Sequence, residues 1–159
     1  MSVMSRTKAR EIALHLIFEM EFQPFEDGDP GDRLDASIMQ SLSTEVALYA
    51  GELDEEQTRY IRAAVKGVAL HKAELNTAIE TYAKGWKLNR LSRMTASILR
   101  LAIYEMRYVE DVPAGAAINE AVELAKVYDA EDAPAFINGV LGSLARAEAP
   151  KAKAENADA

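Results

Sequence analysis

Apolar residues recur at helical spacing along almost every segment of this 159-residue chain, and no run of alternating β-branched residues bounded by turns interrupts them. That periodicity commits the chain to helices packed on helices, and the spacing predicts an all-α bundle of about six or seven. A first helix is expected from Arg6 to Gln23, with Ala9, Ile12, Ala13, Leu16 and Met20 on its core side. Pro24 ends it, and PFEDGDPGDR reads as an acidic loop before a weaker helix from Leu34 to Ala50. Asp54 is placed to cap the next helical region, which runs to Ala83 with a break near His71 and stops at Gly85. Ser92 caps a helix reaching Arg107, Pro113 opens another that runs to Tyr128, and a last one carries Phe136, Val140, Leu141 and Leu144. The expected division is a folded region over 1–147, with N-terminal helices over 6–83 and C-terminal helices over 92–147, then a frayed tail at 148–159.

Several function classes drop out early. The chain has no cysteine, which removes disulfides, thiolate metal sites and cysteine nucleophiles, and fits a reducing, cytoplasmic setting. The start MSVMSRTKAR has cations but no apolar stretch behind them, so it is not a secretory signal. His15 and His71 lie far apart in sequence, outside any HxxxH or ExxH pair. Glu120 and Glu123 lack the second carboxylate pair and the histidines of a di-iron bundle. GxxxxGK[ST], GxGxxG and GxSxG are all missing. No catalytic residue, metal or cofactor is expected.

Charge is sorted in blocks. The chain has a formal net charge of −8, yet residues 56–110 hold ten cations against five acids, and residues 25–55 hold one against nine. Blocks of this kind become faces on folding. Within KGWKLNRLSRM a cation falls at every third position, at Lys84, Lys87, Arg90 and Arg93, and no acid lies between Glu80 and Glu105. Gly85 and Ser92 make much of this stretch a loop that ends at a helix N-terminus, where backbone N–H groups and Arg93 can take a phosphate. A solvated basic connector is the plainer reading. Trp86 is expected to be partly buried, with Leu88 and Leu91 plugging the core.

The first helix carries a second candidate. Arg6, Arg10, Leu14 and Phe18 follow an i, i+4 series, and Leu14 and Phe18 fall away from the core centre on the helical wheel. Cations at Arg6, Lys8 and Arg10 with an exposed ring at Phe18 suit single-stranded RNA, the cations holding phosphates while the ring stacks a base. Phe18 packed under the 24–33 loop or against another helix is the alternative. Further on, Ala114, Ala116, Ala117 and Ala121 expose little bulk. That helix either packs tightly inside the protein or docks a partner protein through Glu120, Glu123, Lys126 and Tyr128.

Three segments carry a family resemblance: RTKAREIALHLIFEMEFQ at the start, GWKLNRLSRMTASILRLAIYEM in the middle, and DVPAGAAINEAVELAKVYDAEDAPAFINGVLGSLA near the end. In their order and content the chain resembles the NusB family of transcription antitermination factors, everywhere but the 24–55 region and the tail. The resemblance implies a NusB-like all-α fold of two packed helical subdomains and no catalysis. It also implies binding of the single-stranded boxA element in rRNA leaders together with ribosomal protein S10 (NusE). The pair then loads onto RNA polymerase with other Nus factors, and a homodimer that hides the RNA surface is compatible with the family.

By the same resemblance RNA contacts fall on Arg6, Lys8, Arg10 and Phe18, and on Asp132, Phe136 and Asn138. The basic stretch adds Lys87, Arg90 and Arg93, and the first-helix cations are expected to converge with it on one positive groove. The acids of 25–55 and 111–132 are expected to face elsewhere and to attract S10. Two departures stand out. The N-terminal cluster is sparse, with Thr7 between Arg6 and Lys8, which implies more dependence on the partner. Thr95 stands where an acid is common after SRM. The fold also resembles the N-terminal domain of certain rRNA cytosine methyltransferases, but the chain is expected to be too short for their catalytic domain. The alternative to an RNA binder is a helical protein-interaction scaffold.

Overall fold

Asp54 and Gln57 show how locally this sequence sets its helix ends. The Asp54 Oδ1 accepts from the Gln57 N–H at 2.7 Å and the Gln57 Oε1 accepts from the Asp54 N–H at 2.9 Å, a reciprocal capping box. A computed structural model describes residues 3–22 and 53–148, and every regular element among them is helical. The chain divides into two compact units, one ending at Leu70 and the other beginning at His71. The predicted helix over 34–50, the loop before it and the tail from 149 onward lie outside the described residues.

In the first unit, α1 (Val3–Met20) packs against α2 (Glu55–Leu70). Ala9, Ile12, Ala13 and Leu16 are buried as expected, facing a core shared with Ile61, Ala64, Val65 and Val68 of α2. The buried arc of α1 is wider than one face. It continues through Ile17 and Arg10 to Leu14, which is fully buried, so the expectation that Leu14 points away from the core is corrected. At 100° per residue these positions cover more than half of the helix circumference, which a single-faced amphipathic reading underestimates.

The second unit holds α3 (Lys72–Tyr82), a 3-10 turn (Leu88–Arg90), α4 (Arg93–Tyr108), α5 (Ala114–Tyr128) and α6 (Ala133–Ala147). The helix over 72–82 therefore belongs with the C-terminal helices, and His71 marks the break between units. At the centre runs α4, with every residue from Thr95 to Ile103 buried. A helix enclosed on all sides must satisfy its polar groups internally. Ser97 Oγ donates to the Arg93 carbonyl at 2.7 Å, and Arg100 Nε donates to Asn76 Oδ1 of α3 at 2.8 Å. Around α4 the other helices contribute Leu75 and Ile79, Leu124 and Ala125, and Ile137, Leu141 and Leu144.

Small residues set how closely α5 approaches its neighbours. Ala117, Ala121 and Ala125 recur every fourth position and are all buried, where α5 packs against α4 and α6. Tight internal packing is thus the role of that stripe, with Ala116 left exposed. The end of α6 departs from expectation, since Glu148 is not frayed. Arg107 grips it bidentately, Nε to Oε1 at 3.0 Å and Nη2 to Oε2 at 2.7 Å, and the Tyr82 hydroxyl donates to Oε2 at 3.2 Å.

Candidate nucleic-acid interface

The connection from α3 to α4 is shaped by three local devices. Gly85 adopts φ +84°, the left-handed conformation that glycine takes without steric cost, and the Trp86 N–H bonds back to the Ala83 carbonyl at 2.9 Å. Glu80 of α3 accepts the Leu88 N–H at 3.1 Å, which ties the 3-10 turn to the helix before it. Ser92 then caps α4 by accepting the Thr95 N–H at 3.0 Å.

The turn leaves Lys84, Lys87, Arg90 and Arg93 exposed, as the basic stretch required. It also exposes Trp86. At 51% accessible the indole is a surface group, not the partly buried plug expected, while Leu88 and Leu91 are half-buried. Its ring stands edge-on to Phe136 of α6, with centroids 6.0 Å apart and planes at 73°. Between these rings and the start of α4 lies an open cleft of about 220 Å³. Arg90 and Asp132 stand on its rim, both exposed.

The polar wall of the cleft is a directed hydrogen-bond chain. Ser92 Oγ donates to Thr95 Oγ1 at 2.9 Å, and Thr95 Oγ1 donates to Asp129 Oδ2 at 2.6 Å. Asp129 Oδ1 in turn accepts the Ala130 N–H at 2.8 Å. Each hydroxyl has one proton to give, so the chain has one sense and ends on a carboxylate. It pins the first turn of α4 to the loop leading into α6. Thr95 and Asp129 thus form a matched pair, since an acid at position 95 would face the Asp129 carboxylate.

The structure brings together some predicted residues and separates others. Arg90, Asp132 and Phe136 share the cleft. Asn138 is exposed but lies about 200° round α6 from Phe136, outside the cleft. Lys87 and Arg93 flank it in sequence without lining it. Asp129 and Asp132 sit in the same cleft as Arg90, so the expectation that the acids of 111–132 face elsewhere is corrected for these two. Trp86, Thr95 and Asp129 were not predicted as site residues. An aromatic directly after a glycine in a run of cations was the available signal for Trp86.

On α1 the picture is mixed. Arg10 is 5% exposed, so the expectation that it offers a surface cation is corrected: it lies within the wide buried arc. Arg6 and Lys8 are half-buried, and the Arg6 guanidinium lies 5.8 Å from the Tyr60 ring centroid of α2. Phe18 is half-exposed and meets the exposed Phe22 edge-on, centroids 5.2 Å apart. On α5, Glu123 and Lys126 are exposed and paired at 3.0 Å, beside Val127 at 70% exposure, with Glu120 and Tyr128 half-buried. No described helix is long and apolar enough to cross a membrane.

An all-helical protein that sets an aromatic pair among exposed cations has the chemistry of a single-stranded nucleic-acid binder, in which rings stack bases and cations hold phosphates. The chain belongs to the NusB family, which it matches over residues 7–146. The transcription antitermination protein NusB of Acetivibrio thermocellus is 42% identical over 143 residues, covering 90% of each chain. T. maritima NusB superposes with a TM-score of 0.77 at 31% identity, over 94% of this chain and 96% of that one. A structure of the antitermination factors NusB and NusE with double-stranded RNA matches at a TM-score of 0.71, covering 92% of this chain and 100% of that one. At 22% identity it shows the shared fold alone.

Proposed function

We propose that this chain is a transcription antitermination factor that binds single-stranded boxA RNA of rRNA leaders together with ribosomal protein S10 (NusE). With other Nus factors the complex keeps RNA polymerase processive. The chain itself performs no catalysis and acts in the cytoplasm, where the nascent transcript emerges. The single observation that carries the RNA reading is the Trp86–Phe136 pair beside Arg90 in a NusB family member.

A splayed base enters the cleft against the exposed indole while Arg90, with Lys87 and Arg93 nearby, holds the flanking phosphates. Asp132 and Asp129 offer carboxylate acceptors to a base amino or imino group, a contact that phosphate cannot make. Arg6, Lys8 and Phe18 supply a further RNA contact from the N-terminal unit, and the Glu120, Glu123, Lys126 and Tyr128 region of α5 takes the protein partner. The test is in vitro transcription through a terminator downstream of boxA, with S10 and other Nus factors supplied. Adding the chain raises read-through, and replacing boxA with a scrambled sequence abolishes the rise. Equal read-through with and without the chain would point instead to a helical scaffold.

A further inference from the structure

We propose that the outward face of α2, through Arg59, Arg62 and Lys66, holds phosphates of the RNA strand; this rests on the RNA-binding reading above. The three cations stand at i, i+3 and i+7, which places them in one stripe along the helix. At 1.5 Å of rise per residue the stripe is about 10 Å long. A stacked strand carries about one phosphate per 3.4 Å, so three cations match about three phosphates. Arg59 and Arg62 are exposed and Lys66 is half-exposed. Together with Leu53, Thr58 and Ala63 they line an open groove of about 580 Å³ that starts at Asp54 and Glu55, beyond which its charged residues are all cations.

Two features favour an anionic polymer here. Arg62 and Lys66 carry like charge at i, i+4, so an anion lying across them meets both. On α1, by contrast, Arg10 is buried and Arg6 leans on Tyr60, the neighbour of Arg59. In a protein of net charge −8, this face gathers three cations along one described helix.

The test is the salt dependence of binding, measured with a boxA single strand and S10, for the wild type and the R59Q/R62Q/K66Q variant. Each phosphate contact on a single strand contributes about 0.7 to the log–log slope, so the variant slope falls by about 2. The charge-retaining R59K/R62K variant keeps the wild-type slope, which separates charge from folding. Wild type and triple variant with equal slopes overturn the proposal while leaving RNA binding intact. So does an unchanged slope accompanied by lost binding to an acidic protein, which would assign the stripe to that partner. A wild type that shows no RNA binding at any salt overturns the RNA reading itself and this proposal with it.

Discussion

The Trp86 indole meets the Phe136 ring edge-on across 6.0 Å, and this contact joins the loop after α3 to the first turn of α6. An edge-on pair leaves ring faces open to a third planar group. Replacing Trp86 with Ala is therefore expected to weaken boxA binding by about 1–3 kcal/mol, the worth of one stacked base. Trp86→Phe retains most of the affinity. Because stacking releases no counterions, the salt slope stays at its wild-type value in both variants, which fluorescence anisotropy at several salt concentrations checks.

The Thr95–Asp129 bond predicts a rescue. Thr95→Val removes both the donor to Asp129 and the acceptor for Ser92, and is expected to cost about 1 kcal/mol in urea unfolding. Thr95→Glu places a second carboxylate against Asp129 and costs more. Asp129→Asn in the Thr95→Glu background recovers part of that loss, since an amide can donate where the carboxylate repels. No recovery in the double variant would show that the two side chains are not coupled.

Arg107 holds the Glu148 carboxyl below the usual carboxylate range, chiefly through its hydrogen bonds and against the opposing effect of burial. A group whose folded pKa is depressed stabilises the protein fully above its ordinary value, about 4.3, and loses that contribution as pH falls through the depressed one. Glu148→Gln is accordingly expected to lower stability by about 0.5–1 kcal/mol at pH 7, discounted for partial solvent exposure. The difference between wild type and variant then shrinks as the pH drops below about 4. Thermal melts from pH 3 to 7 measure it, and a difference that grew in acid would contradict the assignment.

Gly85→Ala tests the turn that presents Trp86. A methyl group there meets nothing within 4 Å, so its cost is conformational alone. At φ +84° that cost is about 1–2 kcal/mol. The variant is expected to melt lower and to bind RNA more weakly than its stability loss explains, because the relaxed turn moves the indole.

How far the sequence could be read depended on the range of the interaction involved. Asp54, Ser92 and Gly85 act on their own neighbours within three residues, and the helix ends they set were legible from residue type alone. Arg10 and Leu14 were misplaced because a helical wheel weighs one face, and α1 is buried over more than one. Asn138 and Phe136 share a motif but not a side of α6, so proximity in sequence overstated their proximity in space. Trp86 depended on the backbone path after Gly85, which residue type suggests but does not fix. The Thr95–Asp129 pairing spans 34 residues and has no local signature. The α2 stripe is different: its spacing is plain in QTRYIRAAVKG, but its cations are sparser than those of KGWKLNRLSRM.

The aromatic cleft is proposed to take boxA RNA jointly with S10. Fluorescence anisotropy of a labelled boxA strand titrated with this protein, with and without S10, tests it most directly, with a scrambled strand as control and the Trp86→Ala variant in parallel. Binding is expected to be selective for boxA, tightened by S10 and weakened about fivefold or more by Trp86→Ala. Equal binding to boxA and scrambled RNA, or a Trp86→Ala variant indistinguishable from the wild type, would contradict it.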